Sequence, residues 1–385
     1  MPEAPDADER AAFVYMDAIR FVAAAAVAIS HIRNLALVDY EAVQSPGVLL
    51  RAFYFLTGFG HQSVMVFFVL SGFWIAGSAV RRVDEPKFWT SYMIDRYSRL
   101  AIVLVPALAL GAICDLSGLY LLHAPIYSGA SQSLTVPRDL AENLTPRVAL
   151  ANLVFLQAVA APVFGSNSPL WSLAYEFWYY IWFPALWLLF ARRRASIMLV
   201  TLVVGLAAPA MLLRFVPWLC GAGLFFAYRW ACTTRKIGRR ALGWTVLLLG
   251  GAGLAVALVL SRVATDIPDV EIPIALTFAV TLFGLCLVVP PRLGLVRALG
   301  FYGAHASYSF YVIHFPLALL LAAALTPPAR LTPDAHGLAV VALIFAATLA
   351  AAWLFSRVTE RHTAILRHQL RLALLGPAES VKIKG

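Results

Sequence analysis

Two ionisable side chains, Arg20 and His31, stand inside the apolar run 19–38. Such a group within a bilayer costs roughly a few kcal/mol or more, and it persists where it faces the protein interior with a partner or a task. Eleven residues separate the two. That is close to three helical turns, so both point to nearly the same face, roughly 16 Å apart along the axis. Asp17 opens the same stripe, and Ala24, Val27 and Ala28 between the two are small enough to leave a slot for another chain or a ligand. Glu176 and His314 lie in two later apolar runs. Counting residues from the ends of the runs sets His31, Glu176 and His314 each roughly 20 Å from the inner face of a bilayer core about 30 Å thick. Costly groups at one height are expected to pair around a polar cavity, and Asp115 reaches a comparable level. The chemistry open to this set is proton transfer. Imidazole is the side chain most often poised to take a proton near neutral pH, and a row of buried ionisable groups also suits the proton relay of a transporter.

The elements that must position these groups are membrane helices. Of 385 residues, 61% are hydrophobic and only 13% charged, with a mean hydropathy of +0.80. A soluble domain is about half apolar and a quarter charged. The predicted fold class is an all-α polytopic membrane protein with about ten transmembrane helices of roughly 17–24 residues. They are expected to begin near residues 18, 59, 100, 170, 195, 215, 241, 272, 301 and 337. A polar N-terminal leader (1–16), a transmembrane core (17–357) and a basic tail (358–385) complete the expected organisation. The first apolar run is too long for a cleavable signal and is expected to stay as an anchor.

Basic residues gather in alternate loops: Arg81, Arg82, Lys87, Arg96 and Arg99; Arg192–Arg194; Arg235, Lys236, Arg239 and Arg240; Arg292 and Arg297; then Arg357, Arg361, Arg367 and Arg371. The intervening loops are poorer in them, and one is acidic (Asp266, Asp269, Glu271). The positive-inside rule then places both the N- and C-termini in the cytoplasm. This distribution accounts for the net charge of +10 without a nucleic-acid partner. The four cysteines sit in or beside apolar runs at wide spacing, so they read as packing residues rather than a disulfide or metal framework. The long outer stretch 123–169 is expected to be functional, with a short apolar helix over Ala149–Gln157.

Five segments, in order, resemble the motifs of acyltransferase family 3, the integral-membrane acyltransferases that modify sugars and some secondary metabolites. Asp17-Ala18-Ile19-Arg20 with His31 is similar to the opening motif, with Ala18 where glycine is usual. Phe67-Phe68-Val69-Leu70-Ser71-Gly72-Phe73 is similar to the second-helix signature, and Arg96-Tyr97-Ser98-Arg99-Leu100 with Pro106 to the paired-arginine motif. Trp171-Ser172-Leu173-Ala174-Tyr175-Glu176 with Tyr179, Tyr180 and Pro184 resembles the tryptophan–glutamate motif. Ser309-Phe310-Tyr311-Val312-Ile313-His314-Phe315-Pro316 resembles the late histidine motif, while Glu360-Arg361 is followed by His362 where the family usually has proline.

The resemblance implies an acyl-CoA co-substrate, usually acetyl-CoA, no metal, and a hydroxyl acceptor on a carbohydrate or glycoside. In that reading His31 is the general base and Glu176 orients it, as the third member of a triad does, with His314 completing the catalytic set. Arg20, Arg96 and Arg99 are expected to hold the phosphates of coenzyme A, which the guanidinium fork suits. Trp171, Tyr175 and Tyr179, with Trp178, Tyr180 and Trp182 beside them, form either a sugar platform or an interfacial aromatic belt. His61 is expected at the acceptor entrance. Ser71 reads as close packing at a helix crossing rather than a nucleophile. Membrane lipids are the expected surroundings, and Ala- and Arg-rich usage points to a bacterial cytoplasmic (inner) membrane. The alternative is a transporter or flippase of lipid-linked sugars that uses the buried groups as a proton relay.

Overall fold

A computed structural model describes residues 7–127, 136–137, 140–193, 195, 198–234, 240–263, 267–288, 294–326 and 329–376. Expectations on Arg194, Arg235, Lys236, Arg239, Arg292, Asp266 and the side chain of Asp269 lie outside what is described. The described residues form thirteen α-helices: α1 (Ala7–Ala36), α2 (Val48–Leu56), α3 (Gly60–Arg82), α4 (Phe88–Leu116), α5 (Pro146–Leu153), α6 (Leu170–Arg192), α7 (Met198–Ala207), α8 (Pro209–Thr233), α9 (Arg240–Leu260), α10 (Ile267–Val288), α11 (Gly294–Leu325), α12 (Ala335–Val358) and α13 (Thr363–Leu375). Since α1 begins at Ala7, its first turns fall within the stretch read as a polar leader.

The protein is an all-α, multi-pass membrane protein. Among the described residues eight stretches are long and apolar enough to cross a bilayer: Ala12–Ala36, Val48–Arg82, Phe88–Leu121, Pro209–Thr233, Arg240–Leu260, Val270–Val288, Ala306–Leu325 and Ala335–Leu375. The expected count of ten is corrected at two places. Helix α6 has 23 residues, but its tryptophans and tyrosines lower its hydropathy, and it is not among the eight. The span expected from residue 195 is the ten-residue α7. The chain leaves the helix at Ala208 (φ −133°, ψ 71°) and restarts on Pro209, giving a 25-residue α8 where a short span was expected. Proline lacks an N–H and starts a helix readily, which is why the break falls there. The short helix expected over Ala149–Gln157 is α5, which begins earlier and ends at Leu153; it is capped by Thr145, whose hydroxyl accepts from the Val148 N–H.

The chain divides into two compact units. The first comprises Met1–Ala23, His61–Val83 and Tyr179–Ser307. Its helices meet over glycine. A Cβ on Gly72 would run into the Trp218 backbone carbonyl, and one on Gly221 into that of Val69, so α3 and α8 cross almost backbone to backbone. Helices α9 and α10 repeat the device: a Cβ on Gly250 would stand 2.7 Å from the Thr281 nitrogen. Small residues at such crossings are how membrane helices gain packing without a hydrophobic driving force between them. Leu248, Leu249, Val256 and Val259 of α9 face outward, as a surface solvated by lipid tails allows.

The second unit comprises Ala24–Gly60, Asp84–Trp178 and Tyr308–Gly385. Its core packs Ile32, Leu35 and Leu37 against Tyr127, Phe315, Leu319, Val341 and Ile344. The end of α1 is stitched to the segment before α12: Val38 N–H donates to Leu331 O (3.0 Å) and Leu331 N–H to Ala36 O (2.8 Å). Outside the bilayer stretches, Arg330 pairs with Asp39 through both carboxylate oxygens (2.8 and 2.6 Å), which holds that carboxyl below its usual range. Helix α13 lies on α4, where Asp95 takes Arg371 (2.7 Å) and Arg367 (3.4 Å). Glu360 ties α11 to the end of α12, accepting from both the amide (3.1 Å) and the hydroxyl (2.5 Å) of Ser309.

Candidate active site

In the second unit α1 carries His31 and α11 carries His314, and the two imidazoles meet. His31 Nδ1 lies 2.9 Å from His314 Nε2, with ring planes 4° apart and centroids 5.2 Å apart. The edge of Phe315 braces His31 at 88°. His314 is fully buried and His31 half-buried. The protonation pattern follows from the partners. His314 Nδ1 is 2.7 Å from the Tyr311 carbonyl oxygen, which can only accept, so the proton sits on Nδ1. In neutral His314 the other nitrogen, Nε2, therefore accepts, and His31 Nδ1–H must be its donor. That fixes His31 in the tautomer whose Nε2 lone pair is left for a substrate proton.

Glu176, expected to orient His31, is not its hydrogen-bonding partner. The hydrogen-bonding partner of His31 is His314, which fills the orienting position. On the same turn of α11 as His314, the Tyr311 hydroxyl lies 2.6 Å from Ser172 Oγ of α6.

The expected donor-binding arginines are described within their own units. In the first, Arg20 donates to Asp17 at 3.3 Å. In the second, Arg96 of α4 lays its guanidinium over the Tyr92 ring at 5.2 Å, and Arg99, one turn on, is exposed. Of the aromatic residues, Trp171 meets the buried Tyr175 edge to face at 5.1 Å. Tyr179 is fully buried between Phe68 and Phe215 and donates its hydroxyl to Met211 O at 2.7 Å, which is a packing arrangement. Ser71 accepts from the Trp218 indole at 3.2 Å, so it too serves the α3–α8 crossing.

Two groups of polar residues escape a reading of sequence alone. In the first unit His61 Nε2 meets Glu271 Oε1 at 2.6 Å, and Arg214 Nε donates to both oxygens of that carboxylate (2.8 and 3.1 Å). Arg214 and Glu271 read only as loop charges in the sequence, because their helices' ends are not marked by composition. In the second unit the turn before α6 is locked from inside. Ser166 N–H donates to Asp115 Oδ2 (2.8 Å) and Asn167 Nδ2 to Val312 O (2.8 Å). Gly165, with φ +56°, lets the backbone come against the Asp115 carboxylate. The legible hints of this lock are Asp115, at the height of the buried ionisable groups, and Pro316, four residues after Val312. Among the described residues no group of three or more His, Cys, Asp or Glu side chains is placed to hold a metal ion.

The multi-pass helical architecture agrees with what related sequences report. Residues 13–357 match the family defined by the acyltransferase domain, and the chain belongs to that family of membrane acyltransferases. Among curated proteins it is similar to the acyltransferase MdmB of Streptomyces mycarofaciens, 30% identical over 198 residues. That stretch is 51% of this chain and 45% of the relative, so the chain spans less than half of that protein's length. No solved structure matches.

Proposed function

We propose that the protein moves an acyl group, acetyl by resemblance, from cytoplasmic acyl-CoA to a hydroxyl of a cell-envelope glycan or a glycosylated metabolite. Its proposed place is the bacterial inner membrane, with both termini cytoplasmic. The observation that carries this reading is the 2.9 Å His31–His314 contact, with His314 fixed as acceptor by Tyr311.

In the reaction, His31 Nε2 takes the acceptor's hydroxyl proton as the oxygen attacks the thioester carbonyl. The C–O bond forms and the C–S bond breaks. The same imidazolium then returns its proton to the departing thiolate, so His31 ends as it began. His314 steadies the cation by accepting a hydrogen bond from its Nδ1–H, the part an orienting partner plays in a triad. Arg96 and Arg99 are proposed as ligands of the donor's phosphates. Trp171 and Tyr175 are proposed to contact the acceptor.

The test is release of free thiol from acetyl-CoA by purified protein given a panel of glycosides. Acceptor-dependent release is expected, and His31→Ala should cut it by about 10²–10⁴-fold with melting unchanged. Full activity in that variant would remove the histidine from the chemistry. Solute movement across vesicles without thiol release would favour a transporter.

A further inference from the structure

Pro316 lies inside α11, two residues beyond His314. A proline has no N–H, so the carbonyl four residues earlier, that of Val312, loses its intrahelical donor. A carbonyl stranded in a buried helix must find another partner. It finds Asn167, whose Nδ2 donates to Val312 O at 2.8 Å from the turn before α6. The amide's orientation is fixed, because a carbonyl accepts and only Nδ2 can donate. Asn167 is 3% exposed and its Oδ1 has no hydrogen-bond partner, so the donor end alone holds this side chain in place. The neighbouring carbonyl, that of Tyr311, is the one that orients His314. The turn bearing Asn167 is itself anchored, since Ser166 N–H donates to the buried Asp115 of α4. On its other side Pro316 faces Gly111 of α4, where an added Cβ would still stand 3.8 Å from the ring.

We infer that Asn167 is a positioning residue of the histidine pair: it replaces the helix bond that Pro316 removes, and thereby holds the turn of α11 that sets the tautomer and aim of His31. Asp115 serves the same end by fixing the turn from which Asn167 reaches. The break in α11 matters through the carbonyl it strands rather than through the bend. This rests on the proposed role of His31 only for its catalytic consequence. The geometric claim stands or falls without it.

The experiment is the pH profile of His31 modification by diethyl pyrocarbonate in detergent, read by peptide mass spectrometry, which needs no acyl acceptor. Wild type should modify at His31, because Nε2 is the free base. Asn167→Ala is expected to slow that reaction about tenfold and move its pH midpoint while the protein still elutes as a folded species. Pro316→Ala restores an N–H opposite Val312. It should therefore leave the rate within about twofold of wild type and return the Asn167→Ala/Pro316→Ala double variant to the wild-type profile. An unreactive His31 in wild type, an unchanged profile in Asn167→Ala, a folded but altered Pro316→Ala, or a double variant without rescue would each overturn the inference. Thiol release from acetyl-CoA by the same variants separates the two claims. Rescue of labelling with no thiol release in any protein retains the clamp and removes the acyl-CoA reading.

Discussion

With His314 Nδ1 committed to the Tyr311 carbonyl, the proton in the 2.9 Å contact belongs to His31, and removing the acceptor should leave that imidazole free to rotate and change tautomer. A hydrogen bond to a group that becomes charged is worth about 1.5–3 kcal/mol. His314→Ala is therefore expected to lower turnover by roughly 10–100-fold with little change in the apparent affinity for acetyl-CoA. His314→Gln, whose amide oxygen can still accept, should retain more activity than alanine. Glu176→Gln should fall short of the alanine effect, because the hydrogen bond to His31 is made by His314 rather than by Glu176. Equal losses in Glu176→Gln and His314→Ala, measured by thiol release, would restore Glu176 to the orienting position. Residue counting along a helix sets His31 and His314 at one height, because rise per residue is fixed. It cannot say which of three groups at that height touch, since rotation and tilt are set by packing. That is why Glu176 looks equivalent to His314 in sequence and is not so in space.

At the scale of elements, apolar runs locate most helices, because about 30 Å of hydrocarbon demands some twenty residues of them. Hydropathy fails where composition stays apolar through a break. The stretch 198–233 reads as two spans, yet the chain makes a ten-residue helix and a long one on either side of Ala208. Helix α6, read as a span from its apolar run, falls outside the eight because its tyrosines and tryptophans lower its hydropathy, even though Tyr175, Tyr179, Tyr180 and Trp182 are buried. Glycines at helix crossings are legible as small residues, while their partners are not. The α3–α8 crossing gives a sharp expectation. Gly72→Leu would press a side chain into the Trp218 backbone carbonyl, which cannot swing aside as a side chain can. Overpacking of this kind costs about 1–3 kcal/mol or more. The variant should show a lowered melting temperature and reduced folded yield in detergent, whereas Gly223→Ala, where no atom lies within 4 Å of an added Cβ, should be near neutral.

For the whole molecule, the distribution of basic residues carries information that no single helix does. The proposed orientation follows from it, and cysteine labelling tests it. In a background with Cys114, Cys220, Cys232 and Cys286 replaced by alanine, Gln44→Cys between α1 and α2 should react with an impermeant maleimide in intact cells. Glu85→Cys between α3 and α4 should react only after permeabilisation. Both residues are exposed, so a reversed pattern would invert the assignment of faces. One feature of the second unit bears on how such a protein ages in solution. The Ser166 amide donates its hydrogen bond to a carboxylate sealed from water, in a residue with no exposed surface, although it belongs to a connecting turn rather than a helix. Exchange with deuterated solvent there must wait for the unit to open, so the linker entering α6 keeps its hydrogens on the clock of the helical core.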